Sequence, residues 1–343
     1  MKRRVRLALL PGTTLEDPTY RRALGSLAAA LRRSGWRARC FCPRRGRLGE
    51  LAHFRPDLVH LHFSGHLGEA ARRWLDSAPT RKAGLVVTFQ DLDHPDLPAP
   101  DGAQRRQVAR LLARAGAVTA LTPDLAGAVG RRYRRAAGKV AVVGNGVGRE
   151  WFSRAPAPRD GNSIVAASRL APYKGIDLLL WAFCGFRART PEARLTVFGD
   201  DFQGGRFQGL ARRLGLAGKV RFSRAASAGP LRRALAAARF FVSASRRETY
   251  GMAVLEAMAG GAPVLATRTG VAARQLRHGR DAWLVPPGDP GALERGLLRL
   301  WSDARLRRRL SAAGRRAALR ALWERRARDY GRLYSAAMGR PCS

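Results

Sequence analysis

The sequence predicts an α/β protein made of two doubly wound, Rossmann-like domains facing a central cleft. Short β-branched or apolar runs alternate with longer Ala/Leu/Arg stretches of helical period, the pattern of parallel strands joined by crossover helices. That alternation runs through twice, with an irregular stretch between the two series. The 343 residues suffice for two separate cores, at roughly 100–200 residues per domain. A hydrophobic content of 46% argues against a disordered chain.

In the first series the strands are expected at 5–10, 37–42, 58–62, 85–89, 117–121 and 140–143, with helices filling the gaps. Residues 144–162 hold four Gly, two Pro and, among their charged residues, Arg154, Arg159 and Asp160 without a sustained period, and read as a linker. The second series places strands at 163–167, 194–198, 220–222, 240–243, 263–267 and 282–285. Beyond Pro290 the pattern is helical and basic from 293 to 337. The expected domains are therefore 1–150 and 151–320, with 321–343 a closing helix that crosses back to the first domain. Sheets of this kind bind ligands beyond the carboxyl ends of their strands, so the cleft between two facing domains is the expected site.

The chain carries 64 Lys plus Arg against 25 Asp plus Glu, a formal charge of +39, and only five of the basic residues are lysines. Residues 1–150 hold 28 basic and 12 acidic residues, and 151–343 hold 36 and 13, so no tail carries the excess. Doublets such as Arg32-Arg33, Arg72-Arg73 and Arg131-Arg132 recur on segments whose other face is Ala and Leu, which fits solvated helix backs. An anionic partner is the alternative, and a membrane surface is the candidate for the basic helices around 21–47 and 305–332. Nucleic acid is not expected as a partner, since no zinc-finger spacing or aromatic-interleaved basic motif is present. Cys40, Cys42, Cys184 and Cys342 show no CxxC spacing, which suits a reducing compartment. The start of the chain has too short an apolar run for a signal-peptide core, and no run reaches the length of a membrane span. The expected location is the cytoplasm, with peripheral attachment to the inner membrane face as an option.

Two segments carry chemistry. The first, SASRRETYGMAVLEAMAGGAPVLAT (243–267), reads as strand, loop, helix, Gly-Gly stop and strand. Glu248 lies at the helix's N-terminal approach, where the backbone N–H groups of Tyr250, Gly251 and Met252 can meet an oxygen-rich ligand. Glu256 follows about two turns later. Two acceptor-only groups at that spacing suit hydroxyl-rich partners such as a sugar and a ribose, the alternative being a pair of solvated glutamates. The second segment, SRLAPYKG (168–175), joins a strand to a helix. Arg169 and Lys174 project where a helix dipole already favours anions, and two cations there can neutralise a diphosphate as it departs.

In order along the chain, LTPDLAGAVGRRY, VVGNGV, SRLAPYKGIDLLLWAF, LTVFGDD, ETYGMAVLEAMAGGAPVLATRTG and LRHGRDAWLVPPGDPGALERGL resemble a retaining nucleotide-sugar glycosyltransferase of family four, with the two-domain GT-B architecture. The resemblance is close over 117–300 and looser before. It implies that Arg169 and Lys174 hold the donor diphosphate. Glu248 is implied to orient donor-sugar hydroxyls with Thr249, Tyr250, Gly251 and Met252, and Glu256 to hold the ribose. Asn145 falls in the segment leading to the family's interdomain hinge. The implied co-substrate is a nucleotide-diphosphate sugar, without a metal or other cofactor, and the implied acceptor is a glycan or lipid-linked molecule of cell-envelope assembly.

The sequence also departs from the family. Its first loop keeps a single glycine, Gly12, as a donor contact, where Gly-Gly is common. Gln90 stands where a histidine is frequent; with His62 it is the candidate acceptor-side residue, and it cannot take up a proton. Arg224 stands where the family usually has Gly near the nucleotide base. His60, His62 and His66 offer a weak metal-cluster reading, and Gly199-Asp200-Asp201 is expected to form a loop turn. A catalytically silent glycosyltransferase-like binding protein is the alternative to the enzyme; a GT-B epimerase or phosphorylase is disfavoured by the two glutamates.

Overall fold

The computed structural model describes residues 5–11, 18–41, 48–64, 67–76, 82–92, 100–152, 161–224 and 227–339. Gly12, Cys42, His66 and Cys342 lie outside the described residues. The chain forms two compact units, residues 1–146 with 323–343, and residues 147–322.

The first unit is a six-stranded parallel sheet of β1 (Arg6–Pro11), β2 (Arg37–Cys40), β3 (Leu58–Ser64), β4 (Gly84–Asp91), β5 (Ala117–Ala120) and β6 (Val140–Val142), in the order β2-β1-β3-β4-β5-β6. All registers are parallel, for example Leu9↔His60 and His62↔Thr88. The two inner strands β3 and β4 run two residues past the positions expected for them, and β2 stops two residues short. Its helices are α1 (Pro18–Arg33), α2 (Leu48–Phe54), α3 (Glu69–Asp76), α4 (Gly102–Arg114) and α5 (Pro123–Arg132). Asp101 accepts from Gln104 N to cap α4, and Thr122 accepts from Leu125 N to cap α5. Leu7, Leu9, Leu27, Leu31, Leu58 and Val86 form a core with Trp323, Ala327, Tyr330 and Tyr334 of the last helix. Those four recur at helical spacing, so one stripe of that helix faces the sheet.

The second unit repeats the plan with β7 (Ser163–Ala167), β8 (Arg194–Phe198), β9 (Val220–Ser223), β10 (Phe240–Ser243), β11 (Val264–Thr267) and β12 (Trp283–Val285), ordered β12-β11-β10-β7-β8-β9 and all parallel. Its helices are α6 (Ile176–Arg187), α7 (Arg206–Arg213), α8 (Ala228–Ala237), α9 (Met252–Ala259), α10 (Gly270–Gln275), α11 (Pro290–Ser302) and α12 (Ala304–Arg320). Leu179, Phe183 and Phe186 of α6 meet Leu293, Leu297 and Leu300 of α11 over the apolar strands. The basic helical stretch after Pro290 is three helices, the last being α13 (Trp323–Ala337). The break after α11 falls at Asp303, whose carboxylate accepts from Leu306 N at 2.8 Å and starts α12. Arg307 is buried, donating to the carbonyls of Leu300 and Trp301 at 2.9 and 2.8 Å, so one member of the arginine excess serves the end of α11. Cys40 and Cys184 are free thiols. No helix of the described residues is long and apolar enough to cross a membrane.

Candidate functional site

Strand order decides which loops meet. In the second unit the chain builds outward from β7 to β9, then returns to place β10 on the other side of β7. The β7/β10 boundary is therefore the switch point, and the connections after these two strands diverge around a crevice. One connection, 168–175, carries Arg169 and Lys174; the other, 244–251, carries Glu248. Gly175 has φ +65°, and a Cβ there would collide with the carbonyl oxygen of Ala244, so this glycine lets the two loops touch.

The loops are joined by an ion pair. Lys174 Nζ lies 2.7 Å from Glu248 Oε1, with the two side chains only 14% and 15% exposed. Ser245 Oγ donates to the same oxygen at 3.1 Å, and Thr267 Oγ1 fixes the Ser245 carbonyl at 2.7 Å. Arg169 donates to the Tyr173 hydroxyl. The Arg169 guanidinium and Lys174 Nζ lie 5.8 and 5.0 Å from the centre of the Tyr173 ring, which gathers both cations around one aromatic side chain. The structure thus brings together three residues singled out from sequence.

Helix ends add to this charge. α6 begins after Gly175 and α9 after Gly251, both glycines are left-handed, and neither helix receives a side-chain cap. Elsewhere α4, α5, α11 and α12 are capped by Asp or Thr, while α7, α8 and α10 also lack a side-chain cap. The N-terminal amides of α9 beside a cation pair suit anionic oxygens, whereas in the first turn of α6 the Asp177 carboxylate takes the amides of Asp177 and Leu178. Met252 opens α9, while the Tyr250 side chain is buried and its carbonyl accepts from Val271 N at 2.6 Å. Glu256 is 4% exposed on α9, which removes the reading of two solvated glutamates.

Neighbouring acids are otherwise engaged. Asp201 accepts from the amides of Gln203 and Gly205 at 2.7 and 2.8 Å and from Gln208 Nε2 at 3.0 Å, shaping the turn before α7. Burial, the largest single influence, raises its pKa, but the three hydrogen bonds together outweigh it and hold the carboxyl below the ordinary range. Asp200 faces the exposed Arg224 at 3.8 Å. No group of three His, Cys, Asp or Glu residues among those described is placed to hold a metal ion.

Known proteins match the chain in sequence and in fold. The family model described as glycosyl transferases group 1 matches residues 148–317, and the one for glycosyltransferase family 4 matches 47–151. Two curated proteins called D-inositol 3-phosphate glycosyltransferase, from Streptomyces avermitilis and Streptomyces scabiei, are 32% and 33% identical over 305 and 308 residues. Both alignments cover 82% of this chain and 66% and 68% of the relatives, so the chain spans about two thirds of their length. The chain belongs to the group 1 glycosyltransferases. A solved structure of Anabaena HepE in complex with UDP-glucose matches with a TM-score of 0.74 at 18% identity, over 96% of this chain and 99% of that one. Its likeness, with the two doubly wound sheets, makes the fold of this glycosyltransferase GT-B.

The glycosyltransferase also carries a polar network in its first unit. Gln90 Nε2 donates to His62 Nδ1 at 3.0 Å, and Asn145 Nδ2 donates to Gln90 Oε1 at 3.1 Å, so the Gln90 amide is braced at both ends. His62 is 1% exposed, and burial pushes its pKa down to about 3. The ring is neutral and accepts at Nδ1. Its ring centre lies 4.1 Å from that of His60 with the planes tilted by 38°, and the His60 ring nitrogens engage Tyr334 Oη at 2.7 Å and Thr88 Oγ1 at 2.6 Å. With both nitrogens in use, His60 is a structural residue rather than a metal ligand. Burial, with a smaller effect of His62, pushes its pKa down too. Sequence reasoning did not find the parts played by Tyr330 and Tyr334, although their four-residue spacing on one helix face was a usable signal.

Proposed function

We propose that this chain transfers a sugar from a nucleotide-diphosphate donor to an acceptor, with retention at the anomeric carbon. The carrying observation is the Lys174–Glu248 pair at the β7/β10 switch point, beside the uncapped start of α9. On this reading Arg169 and Lys174 take the diphosphate. Glu256 takes the ribose, and Glu248 with the Gly251 and Met252 amides takes the sugar hydroxyls. Cations and helix ends meet the leaving-group charge, so the reaction is assigned no divalent ion. The acceptor hydroxyl oxygen bonds to the anomeric carbon on the face from which the carbon–phosphate oxygen bond breaks, and the departing phosphate takes the hydroxyl proton. Neither step uses an enzymic nucleophile.

Acceptor handling is assigned to the first unit, with Gln90 offering its remaining amide valences and His62 acting through it. Support for a uridine-type donor is the UDP-glucose in the HepE complex. The relatives' name points to a polyol phosphate as the acceptor; a lipid-linked or glycan acceptor of the cell envelope is the second reading, motivated by the arginine face of α12. There Arg305, Arg308, Arg309, Arg316 and Arg320 are exposed together with Leu319, a face suited to anionic lipid at the inner membrane surface. Thermal-shift screening with nucleoside diphosphates and their sugars tests the donor half. Stabilisation by one base series is expected, and no shift with any of them would remove the reading.

A further inference from the structure

We infer that Arg246 and Asp177 form an outer clamp that keeps the Lys174 and Glu248 loops in register while the Lys174–Glu248 pair is exchanged for the donor. The inference rests on the donor site proposed above. Lys174 has one ammonium and Glu248 one carboxylate, and they meet each other at 2.7 Å. A diphosphate competes for the ammonium and sugar hydroxyls compete for the carboxylate, so donor binding draws this inner tie apart. Something that the donor does not touch must then hold the two loops together.

Five hydrogen bonds outside the pair do so. Arg246 meets Asp177 with two parallel N–H···O bonds of 2.7 Å each, the fork geometry that a guanidinium forms with a carboxylate and that lysine cannot reproduce. Its Nη1 also donates to the Pro172 carbonyl at 2.8 Å. The backbone amides of Arg246 and Arg247 both donate to the Tyr173 carbonyl, at 2.9 and 3.3 Å. Every one of these bonds runs between 172–177 and 246–247, the stretches that carry Lys174 and lead into Glu248. Asp177 sits in the first turn of α6, where the helix dipole favours its charge. Burial raises its pKa, but the hydrogen bonds and charge of Arg246 outweigh this and hold the carboxyl below its ordinary range.

A plain surface ion pair is the competing interpretation, and the side chains are 38% and 31% exposed. Exposure makes the pair weak in global stability, so a clamp and a decoration differ in function rather than in melting. Arg246 and Asp177 are therefore positioning residues.

The test compares wild type, Asp177→Asn, Arg246→Gln and the charge-swapped double variant Asp177→Arg/Arg246→Asp, all as the full chain. Hydrogen exchange on the unliganded proteins reads the loops directly. The amides of Arg246 and Arg247 should exchange about tenfold faster or more in both single variants, with β7 and β10 unchanged. Nucleoside diphosphate release is then measured on the best substrate in a panel of UDP- and GDP-sugars. The singles should lose about tenfold or more in kcat with donor KM changed less than about threefold, and the swap should recover most of the loss. Melting temperatures should fall by less than about 4 °C. Unchanged exchange, unchanged kcat, or a kcat loss that tracks a large fall in melting temperature without recovery in the swap would each overturn the clamp. If none of UDP, GDP, ADP and dTDP binds wild type by calorimetry while the exchange responds as described, the coupling of the loops stands and the donor-site reading fails.

Discussion

Acidification from pH 7 to pH 5 is expected to weaken the first unit through His60 and His62. In the folded protein both rings are buried and uncharged, His62 titrating only at about 3 and His60 well below its ordinary value. Unfolded, each takes up a proton near pH 6.5. Between those limits the unfolded chain binds more protons, so stability is lost as pH falls below about 6.5 and continues to fall towards 3. At pH 5 the gap to the unfolded pKa is about 1.5 units, or about 2 kcal/mol for each imidazole, and about 4 kcal/mol for the two. That figure depends on the unfolded value alone, provided the folded rings stay neutral at pH 5. Ordinary carboxylates add little, because they remain mostly ionised at pH 5 in both states. Urea unfolding at pH 7, 6 and 5 measures the loss, and carbon–proton NMR of the imidazoles assigns it. Ring signals of His60 and His62 that titrate with midpoints near 6.5 in the folded protein would refute the argument, as would stability that is flat between pH 7 and 5.

Three further outcomes follow from the same geometry. Gly175→Ala should cost about 2–3 kcal/mol in urea unfolding, since it combines a left-handed backbone with a Cβ placed on the Ala244 carbonyl; a loss under about 0.5 kcal/mol would mean that the loops are not in contact. Glu256→Gln keeps the shape of the buried side chain but removes its charge, and should weaken nucleoside diphosphate binding about tenfold or more by calorimetry. Replacing Arg305, Arg308, Arg309, Arg316 and Arg320 by Gln should abolish sedimentation with anionic liposomes at low salt and leave donor binding intact. Wild-type protein that does not sediment would return the arginine face to the solvated role.

Much of the architecture was legible in the sequence because parallel strands buried on both sides stand out as apolar runs. All twelve expected strands are present, and 163–167, 194–198 and 240–243 match β7, β8 and β10 at both ends. Strand order was not legible, and the site depends on it. The register Phe240↔Ile164 sets β10 beside β7, which is why Lys174 meets Glu248 from across 74 positions of chain. Sequence reasoning had given these two residues to different parts of a donor; the structure also joins them to each other. Arg246 was hidden by its background, because one arginine among 59 has no distinguishing pattern until Asp177 is seen opposite it. The break at Asp303 was missed for a related reason: the Ala/Leu/Arg periodicity continues on both sides, and only the capping bond marks the new helix. His62 was expected at a strand end, but β3 continues two residues further to Ser64, and the burial of His62 and its bond to Gln90 come from the packing of α13 and the neighbouring strand.

The central claim is that the second unit binds a nucleotide-sugar diphosphate through Lys174. Calorimetric titration of wild type and Lys174→Ala with UDP, GDP, ADP and dTDP tests it without knowledge of the acceptor. Binding of one of these by wild type, weakened about tenfold or more in the variant, is the predicted result. Equal affinity in the two proteins, or no binding of any of the four to wild type, would contradict it.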